Sequence, residues 1–172
     1  MTPAEFLATI IVPAASLLPS QYDTREARCL LLAIAGQESG WDQRLPEPGS
    51  PLSKGRGYWR CTKIGAVLAV LTRDVTQPLI IHVCAVRKLW PGRDHVHAAI
   101  GVDDELACCV ARLALSLDGR ALPAIGERYL AWALYRDVWR SSTTKLETWE
   151  ERYEAAAALF ADAVPGRRSA PA

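Results

Sequence analysis

The chain has 172 residues, 50% of them hydrophobic and 23% charged, and its 20 lysines plus arginines against 19 aspartates plus glutamates leave a net charge of +1. Those proportions exclude wholesale disorder, and the length favours one domain whose core needs neither disulfide nor metal. The near-neutral balance gives no support to a bulk electrostatic nucleic-acid binder, and no nucleic-acid partner is expected.

Thr2-Pro3-Ala4-Glu5 has the form of an N-cap, a proline in the first helical turn and a nearby glutamate, and opens a helix expected to reach about Leu18 with a break near Pro13. Phe6 to Leu18 is the longest apolar stretch, but Thr9, Pro13 and Ser16 interrupt it and it is too short to span a bilayer. Glu5 stands where a secretory signal carries positive charge, so no signal peptide is read here and synthesis in the cytoplasm is expected. A second helix starts at Asp23 or Thr24 and runs to Glu38 or Ser39, where Gly40 is placed to end it in the left-handed conformation. Residues 42 to 60 are rich in turn formers and form the longest irregular stretch.

Helical patterning returns at Ile64 to Leu71, Thr76 to Leu89, Asp104 to Leu117 (capped by Asp103), Ala124 to Arg140 and Lys145 to Ala163. The β-branched run Leu79 to Val83 is compatible with a strand. Gly119, Pro123 and the polar run Ser141 to Thr144 punctuate these segments, and residues 165 to 172 read as a disordered tail. The expectation is therefore an all-α, mainly helical domain over residues 1 to 164, with a long Gly/Pro-rich loop. Cys29, Cys61, Cys84, Cys108 and Cys109 are odd in number and contain no C-x-x-C, so they are read as free thiols in a reducing compartment.

Chemistry concentrates at Ala33-Ile34-Ala35-Gly36-Gln37-Glu38-Ser39-Gly40-Trp41. An apolar helix runs directly into Glu38 and ends there. Burial and the partial negative charge of a helix C-terminus both raise a carboxyl pKa. A glutamic acid still protonated near neutral pH is what glycosidic cleavage requires of its general acid. Trp41, Tyr58 and Trp59, in or beside the loop, have flat faces that suit sugar rings. Trp41 and Trp59 are equally compatible with core positions, and Trp132, Trp139 and Trp149 are read as packing residues.

Gln37-Glu38-Ser39-Gly40-Trp41 followed by Gly55-Arg56-Gly57-Tyr58-Trp59 resembles the lytic transglycosylase and goose-type lysozyme superfamily. The closer resemblance is to small phage-encoded lysozyme-like proteins, with an apolar helix, Q-E-S, a Gly/Pro loop, R-G-F/Y-W-Q and a downstream W-A-x-Y-x-x-x-W-R. Trp132-Ala133-Leu134-Tyr135-Arg136-Asp137-Val138-Trp139-Arg140 occupies that last place. The resemblance spans about residues 25 to 155. It implies a lysozyme-like fold and cleavage of the β-1,4 bond between N-acetylmuramic acid and N-acetylglucosamine in peptidoglycan. By position it implies Glu38 as the single catalytic acid/base, supported by Ser39. Gly57, Tyr58 and Trp59 would line the cleft, and Tyr135 would stand near the glutamate. No cofactor or metal is implied. The expected partner is the glycan strand, reached through a holin or as part of a virion or tail, with action at the wall or periplasm.

Arg60 departs from the pattern, which has glutamine there. An arginine brings full charge to the cleft wall, where it can pair with Glu38 and lower its pKa. Two enzymatic routes stay open: transglycosylation with Glu38 alone, the favoured one, or hydrolysis with Asp42 or Glu47 as second carboxylate. The non-enzymatic alternative is an inactive lysozyme-fold structural or wall-binding component of a phage particle. His82, His95, His97 and Cys84 lack the paired spacing of a zinc site. No G-x-S-x-G elbow, phosphate-binding glycine loop or basic helix-turn-helix face occurs.

Overall fold

Thr2 opens the first helix, α1 (Pro3–Ala15), with a reciprocal cap. Its Oγ1 accepts from the Glu5 N–H at 3.2 Å, and the Glu5 carboxylate accepts from the Thr2 N–H at 2.8 Å. In the computed structural model, which describes residues 1–45, 54–139 and 146–161, Pro13 does not break this helix. A π-helical turn over Leu7–Ile11 precedes it, closed by the Val12 N–H on the Leu7 carbonyl. The wider turn accommodates a ring that would clash with an ordinary i−4 carbonyl. The helix ends at Ala15, short of Leu18, and a 3₁₀ turn follows at Ser20–Tyr22.

The central helix is α2 (Arg25–Ser39), capped by Thr24, whose Oγ1 accepts from the Ala27 N–H at 3.1 Å. Leu30 to Ala35 are all buried, so this helix has no free apolar stripe and runs through the middle of the core. Gly40 ends it at φ 63°, ψ 19°.

The turn-rich stretch contains a minimal antiparallel hairpin that alternating hydrophobicity could not reveal. Strand β1 (Gly55–Arg56) pairs with β2 (Cys61–Thr62), with Gly55 opposite Thr62 and Arg56 opposite Cys61. Two residues per strand are too few to show a period of two. Next come α3 (Lys63–Thr72) and α4 (Gln77–Val86), joined at an angle of 101°. Leu79 to Val83 is helix, not strand: Pro78 sits in its first turn, and Ile80, Val83 and Cys84 are buried at the i, i+3, i+4 spacing of a helix face.

A short helix that patterning missed, α5 (Arg93–Ala99), buries only Val96, which leaves no periodicity to detect. Then α6 (Asp104–Ser116), capped by the Asp103 carboxylate on the Leu106 N–H at 3.0 Å, buries every residue from Leu106 to Leu115. The last two helices are α7 (Arg128–Trp139) and α8 (Leu146–Ala158). The most extensive helix–helix contact is α2 against α8, which brings the last described helix back onto the central one.

All five cysteines are free and buried. No single helix among the described residues is long and apolar enough to cross a membrane. Glu47, the Ser141 to Thr144 break and the expected disordered tail lie outside the described residues.

Gly57 fixes the hairpin turn. Its φ is +69°, and a Cβ there would lie 2.7 Å from the Ile100 carbonyl oxygen and 3.0 Å from the Ala107 methyl. Gly57→Ala is therefore expected to destabilise the fold by about 2–3 kcal/mol, read by denaturant unfolding.

Candidate active site at the end of the central helix

Glu38 occupies the last turn of α2, and the Tyr135 hydroxyl, 97 residues away in sequence, donates a hydrogen bond to its Oε1. Tyr135 cannot swing freely. It is fully buried and stacks on Trp149 at 5.1 Å with ring planes 2° apart, between Trp132 at 5.6 Å and Trp139 at 6.0 Å. Trp132, Tyr135 and Trp139 recur at i, i+3 and i+7, so their sequence spacing places them along one face of α7. Trp149 comes from α8 and is anchored by its indole N–H on the Arg128 carbonyl at 3.1 Å.

Burial pushes the Glu38 carboxyl up from its ordinary 4.5 to about 7, against the opposing pulls of the Tyr135 hydrogen bond and the Arg60 charge. The expected downward influence of Arg60 is thus present in sign, but burial outweighs it. Among the described residues Arg60 makes no ion pair with Glu38, and its Nε and Nη1 are buried without a hydrogen-bond partner. Burial pulls the Arg60 guanidinium below its ordinary value while Glu38 holds it up. Arg60 also sits at φ +50°, at the end of the hairpin turn, where its N–H bonds the Gly57 carbonyl at 3.1 Å.

The loop aromatics do not form an open sugar platform. Trp59 is wholly buried, and Trp41 and Tyr58 are each 4% exposed. The Trp59 indole N–H donates to the Leu31 carbonyl and that of Trp41 to the Leu32 carbonyl, each at 2.9 Å. Tyr58 and Trp59 meet Phe6 of α1 edge to face at 4.8 and 5.6 Å. The Trp59 carbonyl in turn accepts from the Trp139 indole at 2.7 Å. These rings fasten the hairpin and the turn after α2 to the core, which corrects the expectation that Trp41, Tyr58 and Trp59 present faces to a ligand. Gly57 is likewise part of this scaffold, pressed against Ile100. Ser39 donates its hydroxyl to the Ala35 carbonyl at 2.7 Å, so its side chain serves its own helix and not Glu38.

Of the residues singled out in sequence, the fold thus gathers Glu38, Tyr135 and Arg60. Asp42 is exposed in the turn after Gly40. His82 and His95 are exposed, while His97 donates a ring N–H to the Lys54 carbonyl at 3.0 Å. Among the described residues no three His, Cys, Asp or Glu side chains converge as metal ligands.

The feature that sequence reading missed is a groove of about 690 Å³ lined by Arg60, Thr62, Ala66, Leu117, Asp137 and Trp139, among others. It lies between the start of α3 and the ends of α6 and α7, segments whose proximity no sequence spacing encodes. Glu38 is not among its lining residues; Arg60 belongs to both the groove and the surroundings of the acid. Two groove carboxylates, Asp118 and Asp137, are both engaged by Arg120.

The raised pKa makes stability depend on pH. Below about pH 4.5 Glu38 is protonated in both folded and unfolded chains. As pH rises from 4.5 to 7 the unfolded chain ionises first, so stability falls, and above 7 the loss levels off. Glu38→Gln is therefore expected to match the parent in thermal unfolding at pH 4 and to exceed it at pH 8, by up to about 3 kcal/mol. Tyr135→Phe removes a hydrogen bond that favours the carboxylate, so the Glu38 titration followed by carboxyl-carbon NMR is expected to move above 7. No protein-family model matches the chain, and neither does any curated protein or solved structure; the chemistry of the site is read from its residues.

Proposed function

We propose that this helical domain is a lysozyme-like, glycosidase-type enzyme that cleaves peptidoglycan between N-acetylmuramic acid and N-acetylglucosamine, with Glu38 as general acid/base. The observation that carries this reading is a part-buried glutamic acid at a helix end, hydrogen-bonded by a locked tyrosine, with burial pushing its carboxyl up to about 7. A general acid must hold its proton at the working pH and release it when the leaving oxygen gains charge, and a pKa near neutrality serves both needs. Because Tyr135 donates to Oε1, the proton to be transferred sits on Oε2.

The one-carboxylate route suits these side chains best. Among the described residues, Asp42 is exposed in a turn and Asp118 and Asp137 are tied to Arg120, so none of these three is a poised second carboxylate. Glu38 protonates the glycosidic oxygen as the C1–O bond breaks. The resulting carboxylate then takes the proton from the muramic C6 hydroxyl, whose oxygen bonds to C1 and closes a 1,6-anhydro ring. The proton returns to Glu38, and no water is consumed. The resemblance to phage lysozyme-like proteins extends the proposal to a phage or prophage wall-lytic protein, delivered by a holin or within a virion.

A second reading, a non-catalytic lysozyme-fold component of a phage particle, is favoured by two observations: the loop aromatics are enclosed, and a buried arginine stands at position 60, where the resembled pattern has glutamine. Incubation with isolated peptidoglycan decides between them. The parent protein is expected to release anhydro-muropeptides detectable by mass spectrometry, and Glu38→Gln to release none while remaining folded. Reducing-end products would mean hydrolysis. No release from several wall types by either protein would leave the structural reading.

A further inference from the structure

Arg60 carries costs that the fold does not recover. Its side chain is only 6% exposed, its Nε and Nη1 have no partner, and its backbone sits at φ +50°. Buried guanidinium groups elsewhere in proteins are held by carboxylates or carbonyls, and a buried donor left unsatisfied costs about 1–3 kcal/mol. An arginine stays charged at any physiological pH, and its planar fork matches a carboxylate. Arg60 is the cationic side chain among the residues lining the 690 Å³ groove, so it supplies the positive charge that an anion entering the groove meets, while its unpartnered Nε and Nη1 are enclosed behind that surface.

We propose that Arg60 is an anion-recognition residue, which receives a carboxylate of the ligand that occupies this groove. Glu38, protonated up to about pH 7, neither neutralises Arg60 nor repels the incoming group. Asp118 and Asp137 share the groove, but both are occupied by Arg120, and Arg120 and Asp137 are solvent-exposed, where their charge is screened. The bound carboxylate also acts on the acid. By neutralising Arg60 it removes a pull that lowers the Glu38 pKa, so the general acid holds its proton to higher pH once ligand is in place.

The identity of the carboxylate rests on the peptidoglycan reading. Such a ligand offers two sources: the lactyl group of muramic acid, where no stem peptide is attached, or the stem peptide itself. A chitin-type glycan offers neither. Calorimetric titration of the full chain with three probes separates them: the GlcNAc–MurNAc disaccharide, the same disaccharide bearing its stem peptide, and chitobiose. None contains the muramic-to-glucosamine bond, so the parent protein can be used throughout.

A carboxylate-bearing probe is expected to bind at least about tenfold more tightly than chitobiose, and Arg60→Gln to abolish that difference while leaving chitobiose binding unchanged. The bound probe is also expected to raise the Glu38 titration in the parent protein but not in Arg60→Gln. Preference for the peptide-free disaccharide assigns the lactyl carboxylate and places the protein after an amidase-class reaction that strips stems. Preference for the peptide-bearing one assigns the stem. Equal binding of all three, binding of none, or a preference that survives Arg60→Gln overturns the proposal. Arg60→Gln relieves an unpartnered buried charge and is expected to keep or raise the melting temperature. Should it fail to fold, Arg60→Lys keeps the charge without the fork, and an undiminished preference in that variant also overturns the proposal. A chain that shows the preference but releases no muropeptides keeps the Arg60 role and loses the catalytic one; release without the preference does the reverse.

Discussion

Two indole N–H groups on successive carbonyls of the central helix organise what surrounds them. Leu31 and Leu32 lie in the interior of α2, where each carbonyl accepts from its own helix and still has a lone pair to offer. Trp59 takes one and Trp41 the other. In a wholly buried region such polar atoms need partners, so these bonds fix where the hairpin and the turn after Gly40 come to rest. Both tethered segments hold a non-glycine residue in left-handed backbone, Trp41 itself at φ 60° and Arg60 directly after Trp59 at φ 50°. Each such residue costs on the order of 1–2 kcal/mol, which the buried rings and their hydrogen bonds offset. The position of Arg60 is thus a consequence of the anchoring of Trp59.

The acid at the end of α2 is governed by a balance of three influences. Burial disfavours its charge, and the Tyr135 hydroxyl and the Arg60 guanidinium favour it. Burial is the largest. A close ion pair with Arg60 would reverse that order, because Coulomb attraction rises steeply at short range in a medium poorer than water in screening. Arg60 instead acts from beyond ion-pair distance, its strained turn and its neighbour Trp59 setting where it stands. The acid consequently keeps a proton near neutral pH despite a full positive charge in its vicinity.

Local chemistry was the most legible part of the fold. The Thr2, Thr24 and Asp103 caps and the left-handed Gly40 all behave as their side chains dictate, since each concerns atoms within a turn of one another. Pro13 was misleading because a π turn, which absorbs it, has no sequence signature. Arg93 to Ala99 buries one residue and so shows no period, and Leu79 to Val83 looks strand-like because β-branching ignores the helix start that Gln77-Pro78 supplies. At the site, Glu38 and Tyr135 were connected by the order of two motifs, whereas the spacing Trp132, Tyr135, Trp139 physically encodes only a common helix face. Exposure was the least legible property. Trp41 and Trp59 sit in or beside a turn-rich stretch, and only the tertiary fold reveals that their rings turn inward.

Departures from good local packing coincide at Arg60, whereas Trp41 and Lys88 show only a positive φ and Arg112 only a buried charge with an unpartnered Nη1. Arg60 has unpartnered buried donors, a positive φ and a buried charge, and it stands beside a carboxyl whose burial costs stability at every pH above its ordinary titration. A chain selected for stability alone would place glutamine or an apolar residue at both positions, since removing a buried ionisable group is often neutral or stabilising. The aromatic part of the core is better satisfied: the Trp59, Trp41, Trp139 and Trp149 indoles all have hydrogen-bond partners, and every cysteine is enclosed. Conflict between local rules and the global fold tends to collect where a surface must wait for something the free protein lacks. That conflict falls on the residue shared by the surroundings of the acid and a 690 Å³ groove, which is why the proposed ligand role is placed at Arg60 and not at the groove's own carboxylates.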